Sequence, residues 1–186
     1  MTARLAAAAA AACLAATCAH AQPSPSPSAG PRKRALIVAL STYAPSSGWA
    51  SLSSAADVGL VRGALEAHGF TDIATLADAQ ATRAGILRAI KDTLLDPARP
   101  GDVLVFHYSG HGQQITDDAA EEADGYDEAL VPFDAPMAPG PGYRGDKHLR
   151  DDTMAEQLDA LRRRAGAGGN VVVWLDSCNS GSGTRG

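Results

Sequence analysis

Val171-Val172-Val173-Trp174-Leu175-Asp176-Ser177-Cys178-Asn179-Ser180-Gly181-Ser182-Gly183 is the stretch whose reading decides the fold. A short apolar run feeds directly into a small, polar, Gly/Ser-rich loop that carries one cysteine. Such a run, bounded by turn residues, reads as a buried strand of a parallel sheet. The loop after it then lies at the carboxyl end of the strand, where open α/β sheets build their sites. A cysteine placed there asks for a histidine on a neighbouring strand end.

Working outward, Ala35–Leu40 is a second continuous apolar run and reads as the first central strand, followed by a Ser/Pro/Gly-rich loop over 41–53. The spacing of Val58, Val61 and Leu65 predicts a helix over 54–68 stopped by Gly69. Thr71–Leu76 reads as a shorter strand. Thr82 caps a helix with Ile86, Ile90 and Leu94 on one stripe, ending before Pro97. Asp102–Tyr108 is a third central strand that runs into Ser109-Gly110-His111-Gly112-Gln113. Ala129–Pro132 reads as a short strand, and Pro136–Gly145 as a loop. Met154, Leu158 and Leu161 stripe another helix, with Arg162, Arg163 and Arg164 suited to its C-terminal dipole. Strands alternating with helices predict right-handed crossovers and an α/β fold: a mainly parallel central sheet with helices on both faces.

Composition bounds what the protein does. The chain has 186 residues, 45% hydrophobic, which suits one domain with a core of its own. Residues 1–21 read as a signal peptide: Arg4, an alanine-rich run from Leu5 to Ala16, and Ala19-His20-Ala21 as a cleavage site. Residues 22–31 are a Pro/Ser-rich linker and 32–186 the folded domain. An exported protein, periplasmic or secreted, is therefore expected. Loss of Arg4 with the leader moves the net charge from −5 to −6, which argues against nucleic acid or an anionic membrane as partner. Cys13 and Cys18 leave with the leader, so Cys178 is the lone thiol of the mature chain, free of any internal disulfide.

A free thiol, with its pKa near ~8.5, is mostly protonated at neutral pH and needs a basic partner to act as a nucleophile. His111 follows the third strand as Cys178 follows the last. Neighbouring strands lie about 5 Å apart, so the two side chains can meet. Gly110 and Gly112 let backbone amides approach a substrate carbonyl, with the amides of Gly112 and Cys178 as oxyanion-hole donors. A lone cysteine after a strand is ordinarily a packed small hydrophobe, and His-Gly pairs are common in loops. Found together at two strand ends, they favour chemistry. His107 is read as packing inside its strand, and His68 and His148 as bystanders.

Tyr108-Ser109-Gly110-His111-Gly112 and Asp176-Ser177-Cys178-Asn179-Ser180-Gly181 resemble the two signatures of metacaspase-type members of the caspase family. Asp124-Gly125-Tyr126-Asp127-Glu128 with Leu130-Val131-Pro132, and Asp151-Asp152 before a helix, extend the resemblance over about residues 33–183. It implies a caspase–haemoglobinase fold and a cysteine endopeptidase. His111 would be the general acid/base and Cys178 the nucleophile, cutting protein or peptide substrates after arginine or lysine without a required cofactor. It implies an acidic S1 pocket of Asp57, Ser109 and Asp176, although Asp57 reads equally well as an ordinary helix N-terminal acid. It also implies calcium as an activator, with Asp151 and Asp152 matching part of the ligand set. The family's further aspartate after the cysteine loop is absent, since Thr184-Arg185 stand there, and Asn179 replaces a frequent histidine. The run Asp117–Glu128, seven acids in twelve residues, reads alternatively as a solvated loop, a self-cleavage segment or a metal site. The resemblance covers the catalytic large-subunit portion only, so the domain is expected to be incomplete. A non-catalytic caspase-like module that binds peptides or regulates is the alternative.

Overall fold

The computed structural model describes residues 30–117, 125–138 and 140–178. The expected signal peptide, most of the linker and Asn179–Gly183 lie outside the described residues. Among the described residues, seven strands and three α-helices follow in the order β1 (Lys33–Ala39), α1 (Ser54–Ala67), β2 (Asp72–Ala77), α2 (Arg83–Ala89), β3 (Val103–Ser109), β4 (Gly112–Thr116), β5 (Tyr126–Leu130), β6 (Leu149–Arg150), α3 (Asp151–Ala165) and β7 (Asn170–Asp176). β2, β1, β3 and β7 form a parallel sheet in that order, and β4, β5 and β6 a small antiparallel one. The strand order reverses between β1 and β3. In a doubly wound sheet the crevice for a ligand opens at such a point, at the strands' carboxyl ends.

The two faces of the parallel sheet are covered unequally. On one, Ile86, Ile90 and Leu94 with Met154, Leu158 and Leu161 pack against Leu36, Val38, Leu104 and Phe106. Fully burying each such side chain contributes about 1.5–3 kcal/mol, so this face anchors the domain. Thr82 accepts a hydrogen bond from Gly85 N–H at 3.1 Å and caps α2 as its sequence predicts. The stripe then continues through a π-helical segment, Ile90–Leu95. On the other face α1 sets Val61 and Leu65 against Ala35, Ile37, Phe70 and Val105.

That second face corrects the reading of Val171–Leu175 as buried. β7 pairs with β3 alone, so among the described residues it is an edge strand. Its burial alternates, with Val172 42% and Trp174 51% exposed. Only the side turned to α3 is packed. The small sheet is a second departure. β4 grows from polar Gly112-Gln113-Gln114, and β5 begins at Tyr126, inside the acidic run rather than at Ala129.

His148, which its sequence context marks as a bystander, is fully buried. Its Nδ1 lies 2.9 Å from Tyr143 Oη and its Nε2 2.9 Å from Gln113 Oε1. Gln113 in turn donates to the Met137 carbonyl at 2.9 Å, so the imidazole ties the 137–148 loop to β4. Burial pushes the ring from its ordinary 6.5 to about 4. The unfolded chain thus binds the proton more readily than the folded one. Stability is fully present above about pH 6.5 and falls as the pH drops toward 4. Between pH 7.5 and 5 the urea unfolding free energy is expected to fall by about 2 kcal/mol through this group. His148→Gln should flatten that dependence, and an unchanged pH slope in the variant would refute the assignment.

Candidate active site

Three chain segments converge above the carboxyl edge of the parallel sheet. Each follows a strand: 41–53 after β1, 110–111 after β3, and 177–178 after β7. The register sets Ser109 beside Asp176, and Leu40 N–H → Ser109 O (2.9 Å) and Gly110 N–H → Asp176 O (3.1 Å) carry the ladder to the strand ends. A cleft of about 430 Å³ opens there, lined by Leu52, Ser53, Ser54, Asp57, Ser109, Gly110, His111, Asp176, Ser177 and Cys178. Every residue expected in the dyad and the S1 wall borders this one cavity.

His111 is held at four points. Its backbone N–H donates to Tyr43 Oη at 2.8 Å, and Tyr108 Oη lies 2.9 Å from its carbonyl oxygen. Burial raises both phenols above their ordinary value, so the hydroxyls stay protonated. The imidazole stacks on Trp49, with centroids 4.6 Å apart and planes at 27°. Its Nε2 lies 3.0 Å from the Ala50 carbonyl oxygen. A carbonyl only accepts, so Nε2 carries a proton and Nδ1 keeps the lone pair of the neutral ring.

Gly112 meets Cys178 through the backbone. A Cβ built on Gly112 would lie 1.9 Å from the Cys178 carbonyl oxygen, so no side chain fits between them. Gly110 is constrained as well, since a Cβ there would come within 2.7 Å of Tyr108 Oη. Cys178 itself is exposed and free.

Asp57, on the first turn of α1, accepts from Ser109 Oγ at 3.2 Å, which joins the helix to the end of β3. Asp176 faces the same cleft and is exposed. Its strand is an edge, so water reaches the carboxylate and no partner is needed to hold its charge. One rung below Ser109, His107 is 2% exposed, with Nδ1 3.2 Å from the Trp174 carbonyl oxygen and Nε2 without a partner among the described residues. Burial lowers its pKa, opposed by Asp176 and Asp57. With Asp57, Trp174 and Asp176 it lines an adjoining cavity of about 300 Å³. His107 packs as its place in the strand predicts.

The acidic pair Asp151-Asp152 stands apart from this cleft. Asp127 of β5 joins it, and one carboxylate oxygen from each of the three lies within 4.8 Å of the others. Asp127 and Asp151 are buried; Arg150 pairs with Asp127. Burial raises the Asp151 pKa, and the charges of Asp152 and Glu128 raise it further. Asp127 belongs to the acidic run, so at least this end of the run is not a solvated loop. Residues 118–124 of the run lie outside the described residues.

The fold and the cleft together define a caspase-like α/β protein, with a thiol and an imidazole at neighbouring strand ends over an acidic wall. Comparison with known proteins agrees. The family described as "Metacaspase, peptidase C14 domain" matches residues 33–184, and the chain belongs to that family. It is 43% identical over 103 residues to Metacaspase-1 of Coccidioides immitis, covering 55% of this chain and 20% of that protein. It is 39% identical over 113 residues to Metacaspase-1 of Pyricularia oryzae, covering 60% of this chain and 25% of that protein. The chain thus spans a fifth to a quarter of the length of these relatives. The crystal structure of protein GSU0716 from Geobacter sulfurreducens superposes with a TM-score of 0.61 at 33% identity, over 80% of this chain and 51% of that one.

Two contributors were outside the reach of sequence reasoning. The Ala50 carbonyl is a backbone group in a loop, and nothing in a residue name marks it. Trp49 carries no signal that separates a ring stacked on an imidazole from one filling a core.

Proposed function

We propose that this chain supplies the nucleophile, the acid/base and the S1 wall of a cysteine endopeptidase that cuts protein substrates after arginine or lysine. The observation that carries this reading is the single cleft shared by Cys178, His111, Asp57, Ser109 and Asp176. With the Nε2 proton held by the Ala50 carbonyl, Nδ1 takes the Cys178 thiol proton. The thiolate attacks the scissile carbonyl carbon. The oxyanion that forms accepts hydrogen bonds from the amides of Gly112 and Cys178. His111 returns the proton to the leaving amine as the C–N bond breaks, which leaves a thioester on Cys178. Water, deprotonated by the same imidazole, then hydrolyses the thioester. Asp57 and Asp176 set two carboxylates across the cleft from which a guanidinium or ammonium takes charge-assisted hydrogen bonds.

Calcium fits the second acidic site. Three carboxylates with oxygens within 4.8 Å of one another, two of them buried, form a hard donor set. Asp127, Asp151 and Asp152 would hold the ion. Bound there, it would neutralise their repulsion and tie β5 to the start of α3. The alanine-rich leader and the Ala19-His20-Ala21 site support export of the mature protein, and its acidic balance supports a protein substrate over nucleic acid. Among the described residues no helix is long and apolar enough to cross a membrane.

The test uses the full-length protein on peptides that differ only in an Arg, Lys or Asp before the scissile bond, with calcium and with a chelator. Arg and Lys peptides are expected to be cut at least about 10²-fold faster than the Asp peptide, because like charges across the pocket cost several kcal/mol. Asp176→Asn should lower kcat/KM for the Arg peptide by about 10- to 100-fold, mainly through KM, as the loss of one charge-assisted hydrogen bond. The chelator should slow the wild type and leave Asp151→Ala unaffected. Preference for the Asp peptide would overturn the S1 assignment, and failure to cut any of the three would overturn the enzyme reading.

A further inference from the structure

We propose that Trp49 is a positioning residue for the catalytic dyad: its indole face holds the His111 ring in register with Cys178 and stabilises the imidazolium formed when the thiol gives up its proton. This rests on the reading of His111 and Cys178 as that dyad. The stack is close, with centroids 4.6 Å apart and 27° between planes, inside the range where an aromatic face attracts a cation. Tyr43 closes a second side at 5.1 Å and 39°, and also lies 6.2 Å from Trp49, so three rings form one cluster.

The indole is itself fixed. Trp49 Nε1–H donates to the Ala135 carbonyl at 3.0 Å, and the next residue supplies the carbonyl facing His111 Nε2. The loop that carries both is pinned by Ala44 N–H → Phe133 O (2.9 Å) and Met137 N–H → Ser47 O (2.8 Å), and at its start by Ser41 and Thr42 N–H → Asp78 carboxylate, both at 2.8 Å. One rigid loop thus places a proton acceptor on the edge of the imidazole and a π-face over its plane. The edge contact fixes which nitrogen carries the proton. The face contact fixes the ring's tilt and favours its charged state, on which thiolate formation depends.

The experiment compares Trp49→Leu with Trp49→Phe in the full-length protein. Both lose the Nε1–H bond to Ala135, but only phenylalanine keeps an aromatic face. Trp49→Leu is expected to lower kcat by about 3- to 30-fold with KM changed less than about twofold, while Trp49→Phe keeps most of the activity. The rate at which iodoacetamide alkylates Cys178 should follow the same order, because that small neutral reagent needs the thiolate but not the S1 wall. Should Trp49→Leu not fold, Trp49→Met replaces it as the variant without a ring. Equal losses for Leu and Phe would reduce Trp49 to a packing residue and overturn the proposal, as would wild-type turnover and alkylation in the Leu variant. A different result marks failure of the underlying reading: alkylation of Cys178 in His111→Ala as fast as in wild type, with no Cys178-dependent cleavage. That outcome overturns the dyad itself and with it the role of Trp49.

Discussion

Cys178→Ala is expected to lower kcat for peptide hydrolysis by about 10⁴-fold or more, with His111→Ala close behind and the double variant no worse than the worse single one. The size follows from the chemistry. A methyl group cannot form the acyl intermediate, and the other two cysteines of the chain, Cys13 and Cys18, lie in the N-terminal stretch expected to be a leader. Non-additivity follows from the roles. In the proposed mechanism the imidazole accelerates the reaction only through the thiol whose proton it takes, so once Cys178 is gone there is little left for His111 to do. Neither change should unfold the protein, because Cys178 is exposed and the His111 backbone, rather than its ring, carries the bonds to Tyr43 and Tyr108. Urea midpoints measured beside the kinetics check this. Additive losses would mean that the two residues act in separate steps. Wild-type cleavage in Cys178→Ala would move the nucleophile elsewhere. Unchanged binding of an Arg peptide by a protein that never cuts it would instead favour a peptide-binding module.

How much of this site could be read from the chain depends on the kind of group. That His111 and Cys178 border one cleft could be foreseen because each sits just past an apolar run, and the parallel-sheet rule sends such ends to one edge. The α2 and α3 stripes could be found because Ile86, Ile90 and Leu94, or Met154, Leu158 and Leu161, repeat at helical spacing and do pack on the sheet. The exposure of β7 could not. Val171-Val172-Val173-Trp174-Leu175 reads the same in a central strand and at an edge, since the run reports hydrophobicity and not how many neighbours the strand has. β4 was hidden for the opposite reason: Gly112-Gln113-Gln114 is polar, and its pairing with β5 is set by backbone bonds. Asp127 was one acid among seven, and only the β5–α3 junction separates it from the others as a neighbour of Asp151 and Asp152. His148 looked like a loop residue because its partners, Tyr143 and Gln113, lie on either side of a fold rather than in one motif.

The second large effect is expected at Gly112, where the constraint is steric. The residue does not have the positive φ that would by itself demand glycine. What excludes a side chain is the Cys178 peptide: a Cβ would stand 1.9 Å from its oxygen and 3.0 Å from its carbonyl carbon. Backbone cannot rotate away as a side chain would, so Gly112→Ala must move either the start of β4 or the turn carrying Cys178. The proposed oxyanion donors are the amides of these same two residues, so either movement pulls one donor off the position the developing O⁻ occupies. Losing one such donor costs about 10²–10³ in kcat, and a displacement near ~1 Å costs a similar factor. Gly112→Ala is therefore expected to lose about 10²–10³ in kcat with a much smaller change in KM, because the proposed S1 carboxylates stand on α1 and β7 and do not move with β4. Alkylation of Cys178 by iodoacetamide should fall far less, since that displacement develops no oxyanion. Gly59→Ala provides the contrast. It lies in α1 with nothing within 4 Å of its new Cβ, and should leave kcat unchanged while stabilising the helix by about 0.5–1 kcal/mol. If Gly112→Ala turned over substrate at the wild-type rate, the close approach of the two backbones would have no part in catalysis, and the oxyanion donors would have to be sought elsewhere in the cleft.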